Sequence, residues 1–318
     1  MKMTTLARPG ALMASALVLM AIITGGRPAL GQSVDFPTKK WGISFGNSRQ
    51  FTGLRFNFRD SQVRRIRGLN VTFWHPKKDN QDAVIEGLSL GLVPGGGYMK
   101  GIQIGLLGVA AEKNMTGFNA GLLGMGAGNN ISGINIGGLG AGAGKSIVGF
   151  NVGGLGLGAG DNVYGINIGG LGIGAGKNAI GINIGGLGVG AGDHLIGINI
   201  AGLGAGAGKK LAGLTVCGLG AGSEEIQGLT FAGIGLGGET LKGVQVALGM
   251  VRVANNGRMI GFAASAFNFI KGSQTGLSIG LLNYAYSLKG VQIGLINIVR
   301  DNPRYLKVLP IMNANFSR

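Results

Sequence analysis

The chain has 318 residues, 68 of them glycine, with a formal net charge of +16. Seven prolines and the lack of a Gly-X-Y period exclude collagen. Hydrophobic residues at 45% against 13% charged exclude a disordered chain. The charge is uneven: residues 32–100 hold eleven basic and five acidic side chains, residues 101–250 six of each, and residues 251–318 eight and one.

Residues 1–31 carry the pattern of a secretory signal. Lys2 and Arg8 precede an uncharged apolar stretch from Ala11 to Thr24, and Ala29-Leu30-Gly31 offers small residues before Gln32. The stretch is short for a membrane-spanning helix. The expected mature chain, residues 32–318, is therefore exported, and with Cys217 as its only cysteine it forms no intrachain disulfide.

Residues 32–100 read as a basic N-terminal cap with degenerate repeats. Arg55, Arg59, Arg64, Arg65 and Arg67 stand among Phe56, Phe58 and Ile66. That mixture suits contact with an anionic envelope surface, lipopolysaccharide or phospholipid headgroups. It also suits a solvated cap that blocks end-to-end aggregation. Export argues against nucleic acid as a partner.

Residues 101–250 form a regular array. Gly101, Gly117, Gly133, Gly149, Gly165, Gly181, Gly197 and Gly213 are spaced by 16 without an insertion, and the period loosens through Gly228, Gly243, Gly261, Gly276 and Gly290. Gly53, Gly68 and Gly87 begin weaker upstream copies. Fixed-period self-similarity defines a repeat architecture. In the unit GINIGGLGIGAGKNAI, residues 165–180, Ile166 and Ile168 alternate, and so do Leu171, Ile173 and Ala175 on the opposite parity. The parity change at Gly169-Gly170 requires a corner or a bulge. Polar residues collect at a second corner, Lys177-Asn178.

Two all-β architectures fit. In a β-solenoid, each unit is one rung with two strands and two corners. Ile166, Ile168, Leu171 and Ala175 are then expected inside, with rungs about 4.8 Å apart. Asn119, Asn135, Asn151, Asn167, Asn183 and Asn199 would stack as an amide ladder, continued by Thr215, Thr230 and Gln245. The corner series Lys145, Asp161, Lys177, Asp193 and Lys209 would set opposite charges on neighbouring rungs. In the alternative, an antiparallel up-and-down β-barrel of the outer membrane, each unit is one strand and the large apolar side chains face lipid while glycine and asparagine face the lumen. The solenoid is favoured, because a bulge at the same place in every strand and a single loop length are unusual for a barrel. Residues 251–318 read as degenerate repeats and a C-terminal cap, since a bare stack exposes core and strand edges.

The less glycine-rich units GIQIGLLGVA (101–110), GLSIGLLNYA (276–285) and GVQIGLINIV (290–299) share a G-φ-Q-φ-G-φ-φ-N-φ form. This resembles the leptospiral-type bacterial surface-repeat family over most of residues 87–299. The match weakens in the centre, where Asn replaces Gln and GGLGxGAG replaces the second half. The resemblance implies export and an envelope or surface location. It implies no reaction and transfers no functional residue.

Chemical motifs are weak. Gly144-Lys145-Ser146 lacks the upstream glycine of a phosphate loop, having Leu139 there, and a strand rather than a helix follows. Asp161 and Asp193 alternate with lysines, unlike calcium-binding repeats. His75 and His194 lie far apart, Cys217 stands at a small-residue position, and Glu224-Glu225 mark a polar corner. The sequence therefore predicts a non-catalytic structural or interaction protein of the cell envelope or surface, without cofactor, metal or small-molecule substrate. An outer-membrane anchor or passage is the alternative.

Overall fold

A computed structural model describes residues 33–316. The expected signal segment, residues 1–31, lies outside the described residues. The described chain is a β-solenoid of about 15 turns, 75% of it strand. Its register decides between the two expected architectures. The strand Asn162–Gly169 pairs in parallel with Ser146–Gly153 before it and Asn178–Gly185 after it, each residue against its counterpart one unit away. Gly172–Ala175 does the same with Gly156–Ala159 and Gly188–Ala191. A barrel meander would pair neighbouring units antiparallel, so the barrel alternative is corrected.

The frame glycines set the period. Gly101, Gly117 and their successors through Gly290 all have φ between 102° and 144°. At Gly165 a Cβ would also collide with the carbonyl oxygen of Gly149, one rung below. Glycine thus bends the strand at the same point in each turn, where an L side chain meets both strain and backbone. Gly170 and Gly176 face the same obstruction from Gly154 and Gly160. The rung breaks at two corners, Gly170-Leu171 and Gly176-Lys177, as expected from the sequence, and Gly165 adds a bend within the strand Asn162–Gly169.

The interior corrects the expected facing. Ile166 and Leu171 are 40% and 50% exposed, and Ile168 is half-buried. Inside lie Val163, Asn167, Gly169, Ile173 and Ala175. The barrel reading, though wrong in architecture, had the isoleucines facing out and Asn with Gly facing in. The cause is the width of the rung. A Cβ at Gly169 would strike the carbonyl of Gly172 and come within 3.1 Å of Ile173 Cγ1. Two opposed isoleucines cannot fit in so narrow a wedge. The apolar core instead runs as stacked columns, Ile147–Val163–Ala179–Leu195–Leu211 and Leu157–Ile173–Val189.

Antiparallel strands close both ends. Ser33–Pro37 pairs with Trp41–Gly46, and Val308–Asn315 pairs with Leu282–Val299. Pro37 and Pro310 sit on these outermost strands, where a missing N–H blocks further pairing.

Two glycine substitutions separate steric need from mere smallness. Gly165→Ala should destabilise by about 2 kcal/mol or more, because it forces a side chain into a left-handed, obstructed corner. Gly174→Ala should stabilise by about 0.4–1 kcal/mol, since Gly174 faces outward without positive φ and its Cβ would meet nothing within 4 Å. Denaturation midpoints of the two variants test this.

Candidate interaction surface

The polar interior comes first, because it decides what is left outside. Asn119, Asn135, Asn151, Asn167, Asn183 and Asn199 are fully buried. Each donates from Nδ2 to the Oδ1 of the next, at 2.7–2.9 Å, and Asn199 ends the series at Thr215 Oγ1, 3.4 Å away. Thr215, Thr230 and Gln245 continue the same buried column. Upstream it passes through Gln103, Ser89 and Asn70 to Arg55. A second amide series, which the sequence reading did not anticipate, links Asn268, Asn283 and Asn297 at 2.7 Å each. Both polar residues of the unit GVQIGLINIV, Gln292 and Asn297, therefore point inward. Their fixed spacing was the available signal.

This takes Arg55 out of the expected anionic contact. Its side chain is fully buried and pairs with Asp60 at 2.6 Å and with Asn70 Oδ1 at 2.7 Å. The interior column here carries a cation, and Asp60 neutralises it in the adjoining loop. Arg65 and Arg67 are exposed, but both bind Glu86 at 2.9 Å. Those hydrogen bonds, before any long-range charge effect, lower the Glu86 pKa. Arg59 is half-buried and donates from Nε to the His75 carbonyl, and Arg64 is exposed. The five arginines thus divide among four settings.

A continuous apolar surface runs along the stack. The column through Ile166 runs in register from Leu54 to Val291, and the column through Ile168 from Phe56 to Ile293. Every residue in both is Leu, Ile, Val, Phe or Ala. A leucine edge, Leu123, Leu139, Leu155, Leu171, Leu187, Leu203 and Leu219, lies beside them and is 46–51% exposed. At the N-terminal end the strip becomes aromatic: Phe45 stacks on Phe56 and Phe58 on Phe73, both at 5.4 Å. A depression of about 640 Å³ opens there between Phe56, Phe58, Val71, Phe73, Leu92 and Leu106. Sequence reasoning missed this surface because it assigned Ile and Leu to the core by hydrophobicity alone. The signal was the parity of the Asn and the small Gly, which share a face with Val163.

Charge sits at another corner. Lys177 binds Asp161 at 2.9 Å and Lys209 binds Asp193 at 2.8 Å, each across one rung. These hydrogen bonds raise the lysine pKa values and lower that of Asp193. His194 Nδ1 lies 2.7 Å from Asn178 Oδ1 in the same region. Cys217 is buried in the column of Gly185, Ala201 and Ala232, and desolvation pushes its thiol pKa up. Glu225 pairs with Lys242 at 2.7 Å. An open cleft of about 440 Å³, lined by Glu224, Glu239, Arg252 and Lys271 among others, carries both signs of charge.

Fold and surface together define a parallel β-solenoid with an amide-filled interior and an aliphatic outer strip. Compared with family models, curated proteins and solved structures, the chain has no match.

Three outcomes follow from this geometry. Asn167→Leu should cost about 1–3 kcal/mol for each orphaned neighbouring amide, whereas Ile166→Thr should stay within about 0.5 kcal/mol in dilute protein. Equilibrium denaturation of both variants distinguishes inner from outer columns. Arg55→Met should cost about 3–5 kcal/mol by stranding the buried Asp60 carboxylate, and adding Asp60→Asn should recover part of the loss in the same assay. Ion pairing at the charged corner is linked to pH in two directions. The depressed Asp193 pKa contributes stability above the ordinary value of about 4, lost as pH falls through the folded pKa. The raised lysine pKa values contribute stability below about 10.4, lost as pH rises through the folded values. Melting temperature should therefore be flat in this contribution from about pH 5 to 9, which a pH series of thermal melts checks.

Proposed function

We propose that this protein is a non-catalytic structural and interaction element of the cell envelope, exported under the direction of residues 1–31. Its working surface is the aliphatic strip. The observation that carries this reading is the pair of charge-free columns running from Leu54 and Phe56 to Val291 and Ile293. Soluble monomers rarely expose a contiguous apolar patch beyond a few hundred Å², and a stack of about 15 turns extends this one far past that. Several polar groups are engaged with one another: the ladder amides bind each other, Arg55 binds Asp60, Lys177 binds Asp161 and Lys209 binds Asp193.

The units that resemble the leptospiral-type surface repeats support an envelope or surface location. Among Arg55, Arg59, Arg64, Arg65 and Arg67, Arg59 and Arg64 are the ones not engaged by Glu86 or Asp60. Contact with lipopolysaccharide or phospholipid headgroups would fall to them.

Fractionation of cells producing the full chain tests the reading. The expected result is a chain cleaved before Gln32, recovered with the envelope and released by urea. An uncleaved chain retained in the cytosol would overturn it.

A further inference from the structure

The aliphatic strip needs an occupant, and its geometry points to a second copy of this chain. We infer that two solenoids pack side by side through their outer isoleucine columns, the strip of one covering the strip of the other. The inference rests on the reading of the strip as an interaction surface, and it adds the identity of the partner.

Area is the first argument. About 15 turns at about 4.8 Å per rung make a strip about 70 Å long, and two columns set two residues apart with a flanking leucine edge make it roughly 15 Å wide. That is on the order of 1,000 Å² per copy, above the roughly 800 Å² per partner of a standard stable interface.

Relief is the second. Ile166 and Ile168 form two parallel ridges, and between them Asn167 points away into the core. The surface therefore has a groove between ridges about 6.8 Å apart, with apolar side chains repeating along it. A ridge of one copy fits the groove of another, as in the dry interdigitated interfaces between stacked sheets. A two-fold arrangement needs a patch complementary to itself, and this one is.

Charge is the third. An interface with an anionic headgroup surface would use basic residues along the strip. Neither column contains one at any rung. At the Lys177 corner, Lys177 pairs with Asp161 and Lys209 with Asp193. The ends cannot serve instead, because antiparallel strands cap both. Lateral contact is the mode the fold leaves available.

The test is sedimentation equilibrium of the purified secreted chain at micromolar concentration. The expected mass is twice that of one chain. The triple variant Ile166→Lys, Ile182→Lys, Ile198→Lys places three charges in the strip and should weaken association about 100-fold or more. Its far-UV circular dichroism should stay unchanged, since all three side chains point outward. Should that variant misfold, Ile182→Cys in a Cys217→Ala background gives a second measurement: mild oxidation should yield a covalent dimer, while the same substitution at the opposite, glycine face, Gly174→Cys, should not. A monomeric wild-type chain, or a dimer indifferent to the lysines, would overturn the inference. So would a monomeric chain that floats with phospholipid vesicles in a manner the lysines abolish, because lipid would then be the occupant. A monomer still recovered in the envelope would defeat the dimer and leave the envelope reading standing.

Discussion

Every feature of this molecule depends on in-register parallel stacking at a 16-residue period. Each residue of the regular array lies directly over its own counterpart, so one rung's chemistry is repeated along the whole axis. Favourable contacts are multiplied and unfavourable ones are too. A column of amides can satisfy itself, because each side chain carries a donor and an acceptor. A column of lysines cannot, and the array alternates Lys with Asp instead. A column of backbone carbonyls closely overlying the next Cα allows only glycine, as at Gly149 beneath Gly165.

The same constraint explains an interior that is small and partly polar. Two corners and a bend within 16 residues leave a narrow rung, and the wedge between Gly169 and Gly172 admits no large side chain. What fills the interior is one medium aliphatic on each of two walls, alanine, and a flat stacked amide. The amides hold the wall at Asn167 by hydrogen bonds that would cost dearly if broken in so dry a place. The large aliphatics are displaced to the outside, where stacking arranges them in ranks. Apolar area that most folds bury internally is here presented outward, and that displacement gives the solenoid a surface to use.

At the N-terminal end the regular pattern gives way without breaking the register. Arg55 occupies the ladder column and is made tolerable by Asp60, Asn70 and Asn47. The arrangement places a buried ion pair near the end of the stack, where a neutral amide would face fewer partners. Towards the C-terminus, Asn268, Asn283 and Asn297 replace aliphatic side chains of the inner wall with a second ladder.

The period, the all-β class, the stacking of asparagines and the charge alternation were legible in the residues alone, because each is a repeat property visible one residue type at a time. The frame glycines from Gly53 to Gly290 coincide with the left-handed corners, since only glycine tolerates that backbone. Which side of the strand faces in is set only when the rung closes. Alternation of Ile166, Asn167 and Ile168 marks two faces but does not label them, and hydrophobicity labelled them wrongly. The label depends on the width of the closed rung, which is set by contacts such as Gly169 against Gly172 across a turn. The fate of Arg55 was hidden for the same reason: its register with Asn70 and its nearness to Asp60 exist only once the rungs are stacked.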